Sequence, residues 1–202
     1  MTNQILVSPV APEEITLAAT TLYHAFYDDP LIRWLFVDEN NYQKNGLRIY
    51  EGWVKYCVLY GKALKTPHFE SVGLRRKPGD DKLTFWRLLR SGMYKAPRLL
   101  GKQSFQRILE FEALSLQAKQ QNMGEDLFWY CWALGTETQF QNKGFGNAIM
   151  NYTFELAQQD QLPCYLETAS ENSLQIHLHK GYRLVSEFIL PDSTIKIFTM
   201  LR

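Results

Sequence analysis

The chain has 202 residues and a nearly balanced charge, with 22 lysines and arginines against 21 aspartates and glutamates. This length favours one buried core, and we expect a single domain over residues 1–202. The net charge of +1 gives no electrostatic reason to expect nucleic acid or an anionic membrane as a partner. The three cysteines show no paired spacing, so we expect reduced thiols and no metal site.

The sequence also carries no signal for membrane insertion or export. Residues 1–4 lack the basic segment that begins a signal peptide, and no apolar core follows them. No apolar run approaches the roughly 18 residues that span a bilayer. We therefore expect a cytoplasmic protein.

Hydrophobic spacing and turn residues predict the elements of the first half of the chain. A short strand is expected at residues 5–7. Pro12, followed by two glutamates, predicts the start of a helix that runs to about residue 26. The remaining predicted elements of this half are a helix at 42–58, strands at 59–66 and 69–76, and a turn at 77–81.

The second half begins with about 40 residues of helical pattern, residues 82–121. Gly92, Pro97 and Gly101 interrupt this pattern, which favours several pieces of helix over one long rod. The later predicted elements are a strand at 128–134, a helix at 147–158, a strand at 165–168, a short helix at 172–180 and a hairpin at 182–201.

The most informative segment is the loop Gln141, Asn142, Lys143, Gly144, Phe145 and Gly146. It lies between a predicted strand and a predicted helix, so several backbone N–H groups would point in one direction at the positive end of the helix dipole. Such a site binds phosphate oxygens. Glycine at 144 and 146 would allow a positive φ or close approach of a ligand.

The spacing of these glycines narrows the ligand. Gly144 is not followed by the Lys-Ser or Lys-Thr of a Walker loop, and no glycine near Ile149 completes a dinucleotide fingerprint. The segment fits Gln/Arg-x-x-Gly-x-Gly/Ala, which resembles the acyl-CoA pyrophosphate loop of the GCN5-related N-acetyltransferase (GNAT) superfamily. Taken alone, the six residues also fit an ordinary turn.

Other segments extend this resemblance. Residues 129–136 resemble the strand before the loop, and residues 165–168 resemble the next strand of the family. Gly181 and Tyr182 resemble the glycine-aromatic pair that enters a later strand. The Leu-Glu-Thr segment at 166–168 and the Ala-Phe-x-x-Asp-Pro segment at 25–30 are most similar to the puromycin N-acetyltransferase-like subgroup.

The resemblance implies a fold and an activity. The fold would be α/β (α+β), with a mixed, mostly antiparallel sheet of six to seven strands, helices on both faces and a helical insertion at about 82–121. The protein would be an acyl-CoA-dependent N-acetyltransferase that moves an acetyl group from acetyl-CoA to the primary amine of a small molecule, without a metal, as a monomer or homodimer. The insertion would then either only shield the sheet or shape the acceptor site.

The resemblance also implies which residues bind acetyl-CoA. The loop residues 141–146 would hold the pyrophosphate through their amides, assisted by Lys143. Leu134, Gly135 and Thr136 would align the pantetheine arm as an added strand lies along a sheet edge. Asn172 matches an asparagine near the pantetheine, although it also fits the N-cap of the following helix.

The general acid departs from the family pattern. Relatives place a tyrosine four residues before the glycine-aromatic pair, and here that position is His177. An imidazole with a pKa of about 6.5 can protonate a thiolate whose conjugate acid has a pKa of about 8.5. Two interpretations stay open: His177 is the acid, or it is an exposed helix residue and the acid is absent or is water.

Candidates for the general base are carboxylates. Glu137 follows the strand before the loop and Glu167 lies in the next strand, so both could face the cleft between these strands. Glu110 and Glu112, late in the insertion, are alternatives. Each of them also fits a solvated or structural role, because a working base needs its pKa raised by burial.

Three further expectations concern mechanism and substrate. Neither Cys131 nor Cys164 has a histidine next to it in the sequence, which favours direct transfer over an acyl-cysteine intermediate. Tyr27, Trp34 and Phe36 could line the acceptor pocket, or simply pack in the core. A CoA-binding protein with little catalysis and a protein or peptide acetyltransferase remain alternative functions.

Overall fold

The described residues form one mixed sheet of seven strands. The computed structural model describes residues 5–80 and 83–202. The strands are β1 Ser8–Pro9, β2 Lys62–Lys65, β3 Ser71–Arg76, β4 Trp129–Thr136, β5 Cys164–Thr168, β6 Arg183–Ile189 and β7 Lys196–Leu201. Their order across the sheet is β1-β2-β3-β4-β5-β7-β6. Within these residues every strand pair is antiparallel except the parallel pair β4–β5.

Helices cover both faces of this sheet. They are α1 Ile15–Ala25, α2 Pro30–Leu35, α3 Glu39–Tyr60, α4 Phe85–Ser91, α5 Ala96–Leu100, α6 Lys102–Met123, α7 Phe145–Asp160 and α8 Glu171–His179. A Cβ placed on Gly135 of β4 would touch Ala25 of α1, whereas one on Gly73 of β3 would touch Ile149 of α7. Gly73 pairs with Leu134, so Gly73 and Gly135 point to opposite faces. Helix α1 therefore packs on one face and α7 on the other.

The sheet opens between β4 and β5. These strands pair only over Trp129–Cys164, Tyr130–Tyr165 and Cys131–Leu166, although β4 continues to Thr136 and remains paired with β3 on its other side. A β-bulge falls at Trp132, because Leu74 pairs with Ala133 while Arg75 pairs with Cys131. A bulge bends its strand, so the two strands separate just beyond it.

The alternation of strand β4 shows which backbone groups face the opening. The carbonyls of Ala133 and Gly135 accept hydrogen bonds from the side chains of Arg75 and Ser71, both on β3, at 2.8 and 2.9 Å. Successive residues of a strand direct their backbone groups to alternate sides. The backbone groups of Leu134 and Thr136 therefore point toward the open edge.

Several sequence predictions need correction. The first strand is Ser8–Pro9, not residues 5–7, and α3 continues to Tyr60 where a strand was expected from residue 59. Helix α2 was not predicted. Its signal was present, since Asp29 caps it by accepting hydrogen bonds from the amides of Leu31 and Ile32 at 3.0 and 3.1 Å, and Pro30 is its first residue.

The helical insertion is broken as predicted, into α4, α5 and α6 with a short 3-10 turn at Met93–Lys95. Gly92 and Gly101, with φ of 85° and 78°, lie at the breaks. Residues 1–4, 81 and 82 lie outside the described residues. The predicted turn at 77–81 includes residue 81, and the predicted insertion begins at residue 82. In the two described segments, no helix has both the length and the apolar character needed to cross a bilayer.

Candidate active site

A cavity of about 590 Å³ occupies the opening between β4 and β5. Its floor and sides include residues 130–134 of β4 and residues 166–169 at the end of β5. Helices α2 and α3 form one wall, while Met150 and Thr153 of α7 and His177 of α8 line the other face. We call this space the central cavity. Its size and largely apolar lining are typical of small-molecule sites.

The insertion contributes another wall of the central cavity. Residues from all three of its helices line it, among them Leu88, Pro97, Phe105, Phe111 and Glu112. The sequence left two roles open for the insertion, which were to shield the sheet or to shape the acceptor site. Its position in the cavity wall agrees with the second role. Trp34 and Phe36, proposed from the sequence as alternative pocket residues, instead lie in the hydrophobic core.

The loop before α7 forms the other part of the site. Gly144 is the N-cap of α7 and has a φ of 89°, and Asn142 has a φ of 60°. The amide of Ala148 is bonded to the carbonyl of Gly144, so the amides that precede it begin the helix without an acceptor one turn back. Residues 141–144 are exposed. These amides, with the helix dipole behind them, are suited to bind an anion.

This loop is attached to the end of β4. A Cβ on Gly146 would lie 3.0 Å from Thr136 Oγ1, so glycine permits the close packing of α7 against the strand. Thr136 Oγ1 lies 2.9 Å from Ser71 Oγ, and the Gln141 side chain donates to the Thr136 carbonyl at 3.4 Å. These contacts fix the amides at the start of α7 at the mouth of the β4–β5 opening.

Glu167, one candidate base, reaches the cavity but is strongly bonded. Ser115 Oγ lies 2.8 Å from both of its carboxylate oxygens, and the Tyr130 hydroxyl donates to it at 2.7 Å. The Tyr165 hydroxyl adds a longer contact of 3.4 Å. Because hydroxyl donors already occupy both of its oxygens, Glu167 is better suited to hold neighbouring groups in place than to act as a base.

Glu112 has a different environment. It lines the central cavity from α6, and among the described residues no hydrogen bond to its carboxylate is found. Burial raises the pKa of Glu112, against the attraction of Lys119 and Arg76, and the negative charge of Glu167 raises it further. A carboxylate that lines a cavity, with a raised pKa and with no hydrogen bond from the described residues, is positioned to accept a proton from a ligand in that cavity.

Two other predicted carboxylates lie outside the central cavity. Glu137 follows β4, and its carboxylate is 3.0 Å from Nδ1 of His24 on α1. Glu110 accepts a hydrogen bond from Gln106 on its own helix at 3.0 Å. Neither lines the cavity, so of the four carboxylates considered from the sequence the structure brings together Glu112 and Glu167.

His177 lies on α8 with its ring against that of Tyr182, the centroids 5.3 Å apart, and it lines the central cavity. Its Nδ1 is buried, and no hydrogen-bond partner is found for it within the described residues. Burial and, second, the positive charge of Arg75 lower the pKa of His177 to about 4. The imidazole is therefore neutral at neutral pH. It lines the cavity, but it is not a positively charged acid there.

Neutral His177 makes a testable contribution to acid stability. Between pH 6.5 and about 4 the unfolded chain protonates this histidine while the folded protein does not, so the free energy of unfolding decreases as the pH falls through that window. We expect His177→Gln to remove this part of the pH dependence in urea unfolding curves. His179, at the exposed end of α8, provides the matched control, and an equal effect of His179→Gln would contradict the assignment.

Asn172 lies in the first turn of α8 and is exposed. The N-cap of this helix is Ser170, whose side chain accepts a hydrogen bond from the amide of Ser173 at 3.2 Å. The alternative role of Asn172 as N-cap is therefore wrong. Ser173 lines the central cavity one residue further along.

Sequence reasoning missed two groups of the cavity wall. Arg75 of β3 and the Tyr182 hydroxyl both line it, the latter 3.6 Å from Cys131 Sγ. Arg75 and Arg76 together end strand β3, and which of them lines the cavity depends on the register with β4. No group of histidine, cysteine or acidic residues suited to hold a metal is found in residues 5–80 and 83–202.

A mixed sheet that opens beside a parallel pair, with a glycine-containing helix N-terminus at the mouth of the opening, is the architecture expected of the GNAT superfamily. Comparisons with known proteins agree with it. No family model matches the chain. An uncharacterized N-acetyltransferase of Schizosaccharomyces pombe is 27% identical over 178 residues, which cover 86% of this chain and 72% of that protein.

Solved structures share the fold at lower sequence identity. A structure described as histone acetyltransferase HPA2 and related acetyltransferase, from Corynebacterium glutamicum, has a TM-score of 0.72 at 16% identity and covers 98% of this chain and 95% of its own. Polyamine N-acetyltransferase of Drosophila melanogaster has a TM-score of 0.68 at 15% identity, with coverage of 98% and 99%. The resemblance to the GNAT superfamily is confirmed in sequence and in fold, and the puromycin-type subgroup stays a prediction.

Proposed function

We propose that this protein transfers an acetyl group from acetyl-CoA to the primary amine of a small molecule, directly within a ternary complex. One observation carries the proposal. The edge of β4 beyond its pairing with β5 leads from the helix N-terminus at Gly144 to a cavity lined by Glu112, whose carboxylate has no hydrogen bond with the residues that the structure describes. A thioester that carries phosphate groups fits the end at the helix N-terminus. An amine that must lose a proton fits the end in the cavity.

The amides before Ala148 would bind the pyrophosphate, and the pantetheine arm would run along β4. Its amides would pair with the backbone groups of Leu134 and Thr136, as an added strand pairs with a sheet edge. A backbone N–H of the same edge would stabilise the oxyanion that forms when the amine attacks the thioester carbonyl. The chain would act as one acyltransferase domain.

Glu112 would be the general base in this mechanism. The amine nitrogen attacks the carbonyl carbon, the C–S bond breaks, and CoA leaves as a thiolate. The proton lost by nitrogen passes to Glu112, directly or through water, and Glu167 would orient the surrounding hydroxyl groups. Both carboxylates also attract a protonated amine into a cavity whose other walls are mostly apolar, which favours amines with an apolar body.

The names of relatives support the reaction class. The yeast relative is called an N-acetyltransferase, and the Drosophila enzyme is described as catalysing the formation of N-acetylagmatine. The enclosed position of the cavity beneath the insertion favours small amines over a protein chain as acceptor.

A panel of acceptors tests this proposal. We expect release of free CoA thiol from acetyl-CoA with small primary amines, and lower kcat/KM for peptides with a free N-terminus. The mass of the amine product should increase by one acetyl group. Tight binding of acetyl-CoA without turnover across the panel would instead support a CoA-binding protein, and preferred turnover of peptides would support a protein acetyltransferase.

A further inference from the structure

Arg75 is a buried cation that the proposed mechanism has not used. Its side chain lines the central cavity although the residue is only 1% exposed. Its Nε donates to Thr153 Oγ1 at 2.9 Å, and one terminal nitrogen donates to the carbonyls of Leu74 and Ala133 at 3.0 and 2.8 Å. All of these acceptors are neutral. In the described part of the chain, no carboxylate forms an ion pair with it.

A buried guanidinium without a counterion is costly, because hydrogen bonds to neutral groups replace only part of its hydration. The next residue, Arg76, has different surroundings. It is also fully buried, but it lies among the rings of Tyr56, Tyr130 and Trp132 and 4.0 Å from Asp80, outside the cavity lining. Of these two neighbouring arginines, Arg75 therefore lines the space that a ligand can enter and Arg76 does not.

The titratable groups affected by the charge of Arg75 come from several elements. They are Cys57 of α3, Cys131 of β4, Cys164 of β5, His177 of α8 and Tyr182 just before β6, while α7 contributes the neutral Thr153. The adjacent Cys164 thiol and, to a smaller extent, Arg75 lower the pKa of Cys131. The Cys131 thiol and burial together raise the pKa of Cys164, and burial raises that of Cys57, but the charge of Arg75 acts to lower the pKa of all three thiols. Arg75 therefore favours the anionic form of a sulfur atom placed beside it.

Acetyl transfer produces such an anion. When the amine displaces CoA, the electron pair of the C–S bond stays on sulfur, and the thiolate is protonated later by solvent. His177 is neutral and supplies no positive charge to this step. We propose that Arg75 stabilises the departing CoA thiolate by its charge, in place of a side-chain acid that protonates it. This inference rests on the proposed function, and it assigns Arg75 a role in the bond-breaking step.

Titration of the thiol of bound CoA tests the inference without turnover. The ultraviolet absorbance of the thiolate would be followed against pH in the complex of CoA with the Cys131→Ala protein, which removes the protein's own low-pKa thiol. The complex with desulfo-CoA gives the background. We expect the bound thiol to have a pKa about 1 to 3 units below its free value of about 8.5.

Substitutions then assign the effect. Arg75→Met should return the pKa of the bound thiol to near its free value, whereas Arg75→Lys, which keeps the charge, should retain most of the decrease. Arg76→Met is the matched control and should leave it unchanged. If Arg75→Met does not fold, the comparison of bound with free thiol in the Cys131→Ala protein decides the question alone.

The outcomes separate the inference from the proposed function. Binding of CoA with a thiol pKa that equals that of free CoA, or that Arg76→Met changes as much as Arg75→Met, would overturn the inference alone. Failure of the protein to bind either CoA or desulfo-CoA would overturn the proposed function, and the inference with it.

Discussion

Gly144→Glu is expected to weaken the binding of acetyl-CoA by about 100-fold or more, equivalent to about 2.7 kcal/mol. Gly144 has a φ of 89°, where any side chain is strained, and it caps the helix whose first amides form the proposed pyrophosphate site. A glutamate there would also place a negative charge beside the pyrophosphate. Calorimetric titration of acetyl-CoA into both proteins measures the change.

The control for this substitution is Gly124→Glu. Gly124 also has a positive φ, 58°, and a Cβ there would meet no atom within 4 Å, but it ends α6 instead of beginning a helix. With its ψ of −118°, Gly124 has a conformation that disfavours a side chain at least as strongly, so backbone strain is introduced without touching the proposed anion site. Equal loss of affinity in both variants would mean that the effect comes from general destabilisation and would contradict the role of the loop.

Glu112→Gln is expected to lower kcat by about 100-fold to 10,000-fold, the range typical for loss of a general base. The amide keeps the size of the side chain but cannot accept the proton of the amine. The affinity for acetyl-CoA should change little, because Glu112 lies at the acceptor side of the cavity. Initial rates with saturating acetyl-CoA and a good amine acceptor measure the effect.

The pH dependence of Glu112 gives a second readout. Burial raises its pKa, so kcat should increase with pH through that value as the carboxylate ionises, and Glu112→Gln should lose this increase.

The raised pKa of Glu112 also means that the folded protein binds the proton more tightly than the unfolded chain. Stability should therefore decrease as the pH rises from 4.5 to the raised value, and the Gln variant should not show this decrease.

Glu110→Gln is the matched control, since it makes the same change two residues earlier on α6. Glu110 lies outside the cavity and accepts a hydrogen bond from Gln106. We expect nearly unchanged kcat in this variant. Loss of activity in Glu110→Gln with normal activity in Glu112→Gln would contradict the assignment of the base.

Local patterns were sufficient to predict the part of the site made by one continuous segment. Residues 141–146 connect a strand to a helix, and the conformation that the two glycines allow is a property of the loop itself. The mixed, mostly antiparallel sheet and the broken insertion followed from the resemblance and from glycine and proline positions. The loop and the breaks in the insertion could be derived because neighbours in sequence determine them, whereas the sheet was expected only from the resemblance.

The base could not be chosen from the sequence for a geometric reason. Glu110 and Glu112 are separated by about 200° around a helix, so only one of them can face a given cavity, and the packing of α6 decides which. Glu137 and Glu167 both follow or lie in strands beside the opening. The hydrogen bonds from Ser115 and Tyr130 to Glu167, and the contact of Glu137 with His24, join residues far apart in the chain.

His177 and Arg75 illustrate the same limit. The sequence placed His177 at the position of the family's acid, but its charge depends on burial against Tyr182 and on Arg75 from another strand. The sequence shows two arginines at the end of β3, but which of them lines the cavity follows from the bulge at Trp132 and the packing of α7. Long-range packing, which no short pattern encodes, therefore set the electrostatics of the cavity.

The most direct test of the account is a single-turnover reaction of isotope-labelled acetyl-CoA with excess protein and a small primary amine. Mass spectrometry would follow the label in the amine and in the intact protein together. Direct transfer predicts that the label appears on the amine at the rate of CoA release and never on the protein. Label that first accumulates on Cys131, or that reaches acetate but not the amine, would contradict the proposed mechanism.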